Sequence, residues 1–101
     1  MEADGFDWDE GNRDKCRKHG LSIPEIEAAF AGVLWVGPDS YPIREVRFRA
    51  VGRTLEGRYV FVVFTWRRRS GLQLIRPLSA RYMHRKEIDH YENAVSGSGQ
   101  R

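Results

Sequence analysis

The sequence predicts an α+β fold: two N-terminal helices, an antiparallel β-sheet meander, and a C-terminal helix packed on the sheet. Helix-capping signals are confined to the first third of the chain. Alternating and doubly apolar runs fill the middle, and a helical apolar spacing returns near the end. With 101 residues there is room for one hydrophobic core, expected over residues 1–95, followed by a flexible Ser/Gly tail at 96–101.

Phe6-Asp7-Trp8-Asp9 reads as a short extended segment. Asp9 can then cap a helix over residues 10–18, which Gly20 stops. Ser22-Ile23-Pro24-Glu25 is a capping box, with Pro24 tolerated in the first turn because its missing N–H would have been unpaired. Ile26, Ala29 and Phe30 give that second helix one apolar face, and Gly32 ends it.

The period then changes. Leu34-Trp35-Val36 is a short strand before a turn signal at Gly37-Pro38-Asp39-Ser40. Residues 44–51 alternate, with Val46, Phe48 and Ala50 facing inward and Glu45, Arg47 and Arg49 outward. Thr54-Leu55-Glu56-Gly57 turns the chain into a central strand at 59–66, apolar on both faces. Arg67-Arg68-Arg69-Ser70-Gly71 is expected to turn again into a strand at 72–78, where Pro77 requires an edge or a bulge. His84, Ile88, Tyr91 and Val95 share one face of the final helix. Trp8, Trp35 and Trp66 are expected in the core, with stacking on a base as the alternative for Trp8 near the basic face.

Composition excludes several classes. A 41% hydrophobic content with 12% aromatics is too apolar for a disordered chain, and no run approaches a membrane span. The acidic N-terminus is unlike a secretory signal, and the single Cys16 rules out an internal disulfide, so the cytoplasm is expected. The net charge of +3 conceals a strong asymmetry. Residues 1–43 hold 4 Lys/Arg against 9 Asp/Glu, residues 44–86 hold 12 against 2, and residues 87–101 hold 1 against 3. Arginine far outnumbers lysine in the basic block, which points to bidentate phosphate contacts on a polyanion.

Neither a phosphate-cradling glycine loop nor a metal-ligand spacing is present, and the cation-based site that remains needs no metal. What remains is a set of cations on or beside the strands: Arg47, Arg49, Arg53, Arg67, Arg68, Arg76, Arg81 and Arg85, with Lys18-His19-Gly20 at the end of the first helix. RNA cleavage by a 2′-hydroxyl needs a base, a proton donor for the leaving 5′-oxygen, and positive charge on the phosphorane. Arginine supplies the charge; His19 or a lysine of lowered pKa can move protons, and Tyr82 or Tyr91 can donate or stack. The same cations would equally serve a non-catalytic module that holds RNA or an acidic partner. No helix-turn-helix suggests DNA binding.

In their order these residues resemble the BrnT family, the toxin half of a bacterial type II toxin–antitoxin pair. The segments that carry the resemblance are Trp8-Asp9, Lys18-His19-Gly20, Val51-Gly52-Arg53, Val60–Thr65 with Arg67, Ile75-Arg76-Pro77-Leu78-Ser79-Ala80-Arg81, and Glu87 with Tyr91. The resemblance implies a RelE-like fold and a ribonuclease that arrests translation, free or on ribosome-associated mRNA. It also implies no cofactor and neutralisation by a BrnA-like antitoxin covering the basic face. Carried over by position, Lys18, His19, Arg67 and Arg81 are the catalytic candidates. Arg53, Arg76 and Tyr91, carried over likewise, are RNA-binding candidates together with Arg47, Arg49, Arg68 and Arg85, read from their place on or beside the strands and the last helix. The sequence departs from the family where Asn12 stands in place of a usual lysine, Lys15 in place of a usual asparagine, and Pro77-Leu78 in the last strand.

Overall fold

The computed structural model describes residues 2–39 and 45–99. Helix α1 (Glu10–Arg17) begins at Asp9, whose carboxylate accepts from the Asn12 backbone N–H while the Asn12 side chain reaches back to the Asp9 N–H. Gly20, at φ +92°, takes the left-handed conformation that ends the helix. Helix α2 (Ile23–Ala31) starts on the reciprocal Ser22–Glu25 box that the sequence predicts.

The sheet has five strands in the order β1-β5-β4-β3-β2. Strands β2 (Trp35–Pro38), β3 (Phe48–Arg53), β4 (Tyr59–Arg69) and β5 (Leu72–Tyr82) form the expected meander. The two-residue β1 (Gly5–Phe6) adds to β5 in parallel, so the sheet is mixed. Pro77 sits at a bulge: Val63 pairs with Ser79 and Phe64 with Pro77, leaving Leu78 as the extra residue. The first two strands of the meander differ from the reading at 34–51. Gly37 and Pro38 pair with Arg49 and Phe48 instead of turning, and Val46 is 73% exposed ahead of β3. Residues 40–44, part of that expected turn and strand, lie outside the described residues, as do 100 and 101.

The expected turn at 67–71 is a correction too. Arg67, Arg68 and Arg69 extend β4, and only Ser70 (φ 52°) and Gly71 (φ 79°) turn the chain. Two consecutive positive φ values match the twist of the flanking strands, so the hairpin needs no longer loop.

Cross-strand alternation gives the sheet two faces. One carries Ala50, Val60, Val62, Phe64, Ile75 and Ala80 against Cys16 and Leu21, with Ile26, Ala29 and Phe30 of α2. Helices α1 and α2 therefore cover this face, and Phe64 stands at its centre, edge-on to Phe30 and stacked on Phe48. Burial pushes the Cys16 thiol up to about 11, so it packs as an inert apolar group. Helix α3 (Arg85–Gly99) lies over the other face, meeting it where Tyr91 contacts Tyr59.

Asn12 joins α1 to the sheet. Its buried amide donates to the carbonyl oxygens of Asp7 and Pro77, both at 2.9 Å. Its removal strands two carbonyls and half of the α1 cap. Asn12→Ala is expected to lower unfolding free energy by about 1–3 kcal/mol, read by denaturant titration; an unchanged midpoint would show that water replaces both bonds.

Candidate functional site

The face turned away from α1 and α2 carries Arg49, Arg53, Arg67 and Arg81. Register sets its side chains in rows across the strands. One row runs Trp35–Val51–Phe61–Arg81, the next Gly37–Arg49–Val63–Ser79, and Arg53 pairs with Tyr59 at one end. Arg67 lies on the same face six residues along β4 from Phe61, roughly 20 Å away at strand rise. Arg67 and Arg81 therefore stand at separate points of the face.

Carboxylates hold Arg81, Arg49 and Arg67, and a tyrosine hydroxyl holds Arg53. Arg81 makes two 2.7 Å hydrogen bonds to Glu87 of α3 and stands 5.1 Å from the Phe61 ring centroid. Arg49 bonds Asp39 at 2.9 Å and lies 5.4 Å from the same ring. Arg67 is paired with Glu45 at 2.8 Å. Arg53 lies over Tyr59 and donates to its hydroxyl, which donates to Glu92 at 2.9 Å. Such pairs fix the direction of long flexible side chains while leaving their charge in place.

The Arg81 guanidinium, helped by the His84 backbone N–H, holds the Glu87 carboxyl at about 2. A carboxylate that acidic is a weak base near neutrality, so Glu87 aims Arg81 rather than taking a proton. Its pKa is depressed in the folded state, so its contribution is present above the ordinary carboxylate range and lost as pH falls through about 4.5 to 2. Acid melts should show the wild type losing stability across that window faster than Glu87→Gln. Parallel curves would mean that the pair contributes nothing to folding.

The remaining candidates are dispersed. Lys18 caps α1 and His19 follows it, both exposed, at the end of a helix on the opposite face of the sheet from Arg81. Arg76, only 16% exposed, is clasped by Asp9 at 2.9 Å and Asp7 at 3.4 Å, and Arg69 also reaches Asp7 at 3.3 Å. This cluster ties the N-terminal segment to β5. Arg68 is exposed beside the β4–β5 turn, Arg85 pairs along α3 with Asp89, and Arg47 is half-buried before β3. Tyr91 is half-buried and lines a groove of about 740 Å³ between α3 and the sheet, together with Trp35, Phe61 and His90.

Sequence reading missed Trp35 and Phe61 as parts of this face. Trp35 was expected in the core but is 44% exposed on edge strand β2. The signal for Phe61 was present: alternation from Val60 and Val62 sends it outward, between two arginine-bearing strands.

No curated protein matches the chain. A family model described as a ribonuclease toxin, BrnT, of type II toxin–antitoxin systems matches residues 8–87. The matched span takes in both N-terminal helices, strands β2–β5, and Arg81 with its partner Glu87; Tyr91 and the rest of α3 lie beyond it. A match over most of the chain shows that this protein belongs to the BrnT family of ribonuclease toxins.

Proposed function

We propose that the chain is a metal-independent endoribonuclease that stops translation by cutting RNA on the arginine-bearing sheet face. The observation that carries this reading is Arg81, held bidentately by Glu87 beside Phe61 and Arg49. The reaction is attack of a ribose 2′-oxygen on the adjacent phosphorus. The O2′–P bond forms, the P–O5′ bond breaks, the 2′-hydroxyl proton leaves to a base, and the 5′-oxygen gains one. Charge accumulates on the non-bridging oxygens, where a guanidinium fork is worth most. Arg81 takes that role, while Arg67, at the far end of the face, holds the strand.

The substrate is RNA, free or as ribosome-associated mRNA in the cytoplasm. The antitoxin partner is BrnA-like and silences the enzyme by covering this face with acidic side chains. Lys18 and His19, across the sheet, support substrate binding at an edge better than proton transfer beside Arg81.

Induced wild-type protein is expected to arrest growth. Purified protein freed of its partner should cleave cellular RNA in the presence of EDTA, and adding antitoxin should stop it. RNA that is bound with salt-sensitive affinity but left intact would instead make the face a non-catalytic binding module.

A further inference from the structure

The groove between α3 and the sheet has a construction that phosphate binding alone does not require. Its floor is the cross-strand row Trp35–Val51–Phe61, and Met83, Tyr91 and Ala94 form the opposite wall. At about 740 Å³ the open groove has room for a group of small-ligand size. The indole of Trp35 is seated by a missing side chain: a Cβ on Gly37 would come within 2.5 Å of the indole Cη2. Gly37 thus lets the ring lie along the strand two residues on.

Two cations border this apolar floor. The Arg49 and Arg81 guanidinium groups stand 5.4 and 5.1 Å from the Phe61 centroid, each oriented by a carboxylate. A flat apolar surface bordered by two guanidinium groups matches the chemistry of a nucleobase attached to a phosphodiester. An apolar protein helix would fill the groove only by desolvating both cations, which costs more than it returns.

We infer that the groove is a nucleobase-binding subsite. An unpaired base of the RNA strand stacks on Trp35 and Phe61 while its neighbouring phosphate lies against Arg81. This rests on the ribonuclease reading and adds what that reading lacks, a means of selecting single-stranded RNA. A base locked in a duplex cannot enter the groove, and a bare polyanion gains nothing from it.

The test uses full-length protein freed of its partner and a short single-stranded 2′-O-methyl RNA, which lacks the attacking hydroxyl and stays intact. The probe is made in two forms, with bases and with abasic sites on the same backbone, and affinities are read by fluorescence anisotropy. Wild-type protein should bind the base-bearing probe about tenfold more tightly than the abasic one. Trp35→Ala should remove most of that preference while leaving abasic affinity unchanged; Trp35→Phe should retain it. Gly37→Ala, which dislodges the indole without deleting it, should weaken the preference as well.

Equal loss for both probes in Trp35→Ala would mark Trp35 as structural and overturn the inference. So would an unchanged preference, or a loss of antitoxin affinity with RNA binding intact, which would assign the groove to the protein partner. If the wild type cleaves RNA but shows no base preference, the subsite alone falls. If it neither binds nor cleaves RNA, the ribonuclease reading falls with it.

Discussion

Arg81→Ala is expected to lower the rate of RNA cleavage by about 10² to 10³, the loss typical when one preorganised donor to a developing oxyanion is removed. The geometry makes this position more sensitive than the other arginines. Arg76 is already enclosed by Asp7 and Asp9, and Arg85 pairs along its helix with Asp89. Arg81 joins a bidentate carboxylate clasp to a place on the groove floor beside Phe61. Arg81→Lys keeps the charge but not the fork, so it should recover binding better than rate. Single-turnover cleavage of a defined RNA separates these outcomes, with affinity for the uncleavable probe as the companion measurement. A near-wild-type rate in Arg81→Ala would move the chemistry elsewhere, and Arg67 would be the next position to test. Glu87→Gln gives a second check. If Glu87 only aims Arg81, cleavage should survive in that variant with a modest change, whereas abolition would make the carboxylate a participant.

Much of this was legible in the sequence because local chemistry dictated it. The Ser22–Glu25 box, the Gly20 stop and the Thr54–Gly57 turn are short-range devices whose residues determine their own backbone. The basic face was legible because alternation converts sequence order directly into sidedness. Long-range partners were not. Nothing local announces that Phe6 will pair in parallel with Ile75, or that Asp7 and Asp9 will neutralise Arg76 from 69 and 67 residues away. Arg67–Arg69 read as a solvated turn because three charges in a row suggest one. In the fold they continue the hairpin, since Ser70-Gly71 alone supplies the two positive φ values needed. Trp35 misled for a related reason. Large aromatics usually occupy cores, and only the position of β2 at the sheet edge leaves this one uncovered. The departure at Asn12 became interpretable only in three dimensions, where its amide bridges Asp7 and Pro77.

Gly52→Ala should be the most damaging of the small substitutions. Gly52 lies on β3 opposite Val60, on the face that α2 covers. A Cβ there would stand 2.9 Å from the Ala29 carbonyl carbon, 3.1 Å from its Cα, and closer still to its oxygen. All three are backbone atoms of a helix packed over the core, so no side chain can rotate away to make room. Helix α2 would have to lift from β3, and Ile26, Ala29 and Phe30 leave the core together. Overpacking of a filled core costs about 1–3 kcal/mol, and a clash against rigid backbone belongs at the upper end. A small domain has only about 5–15 kcal/mol in total, so denaturant titration should show a large fall in midpoint. Because α2 lies across the sheet from Arg81, the fraction that stays folded should cleave RNA with little change per molecule. Gly37→Ala provides the contrast. Its new methyl meets an exposed indole instead of backbone, so stability should hold while affinity for base-bearing RNA falls. Similar denaturation midpoints for Gly52→Ala and wild type would mean that α2 can shift on the sheet without disturbing the core.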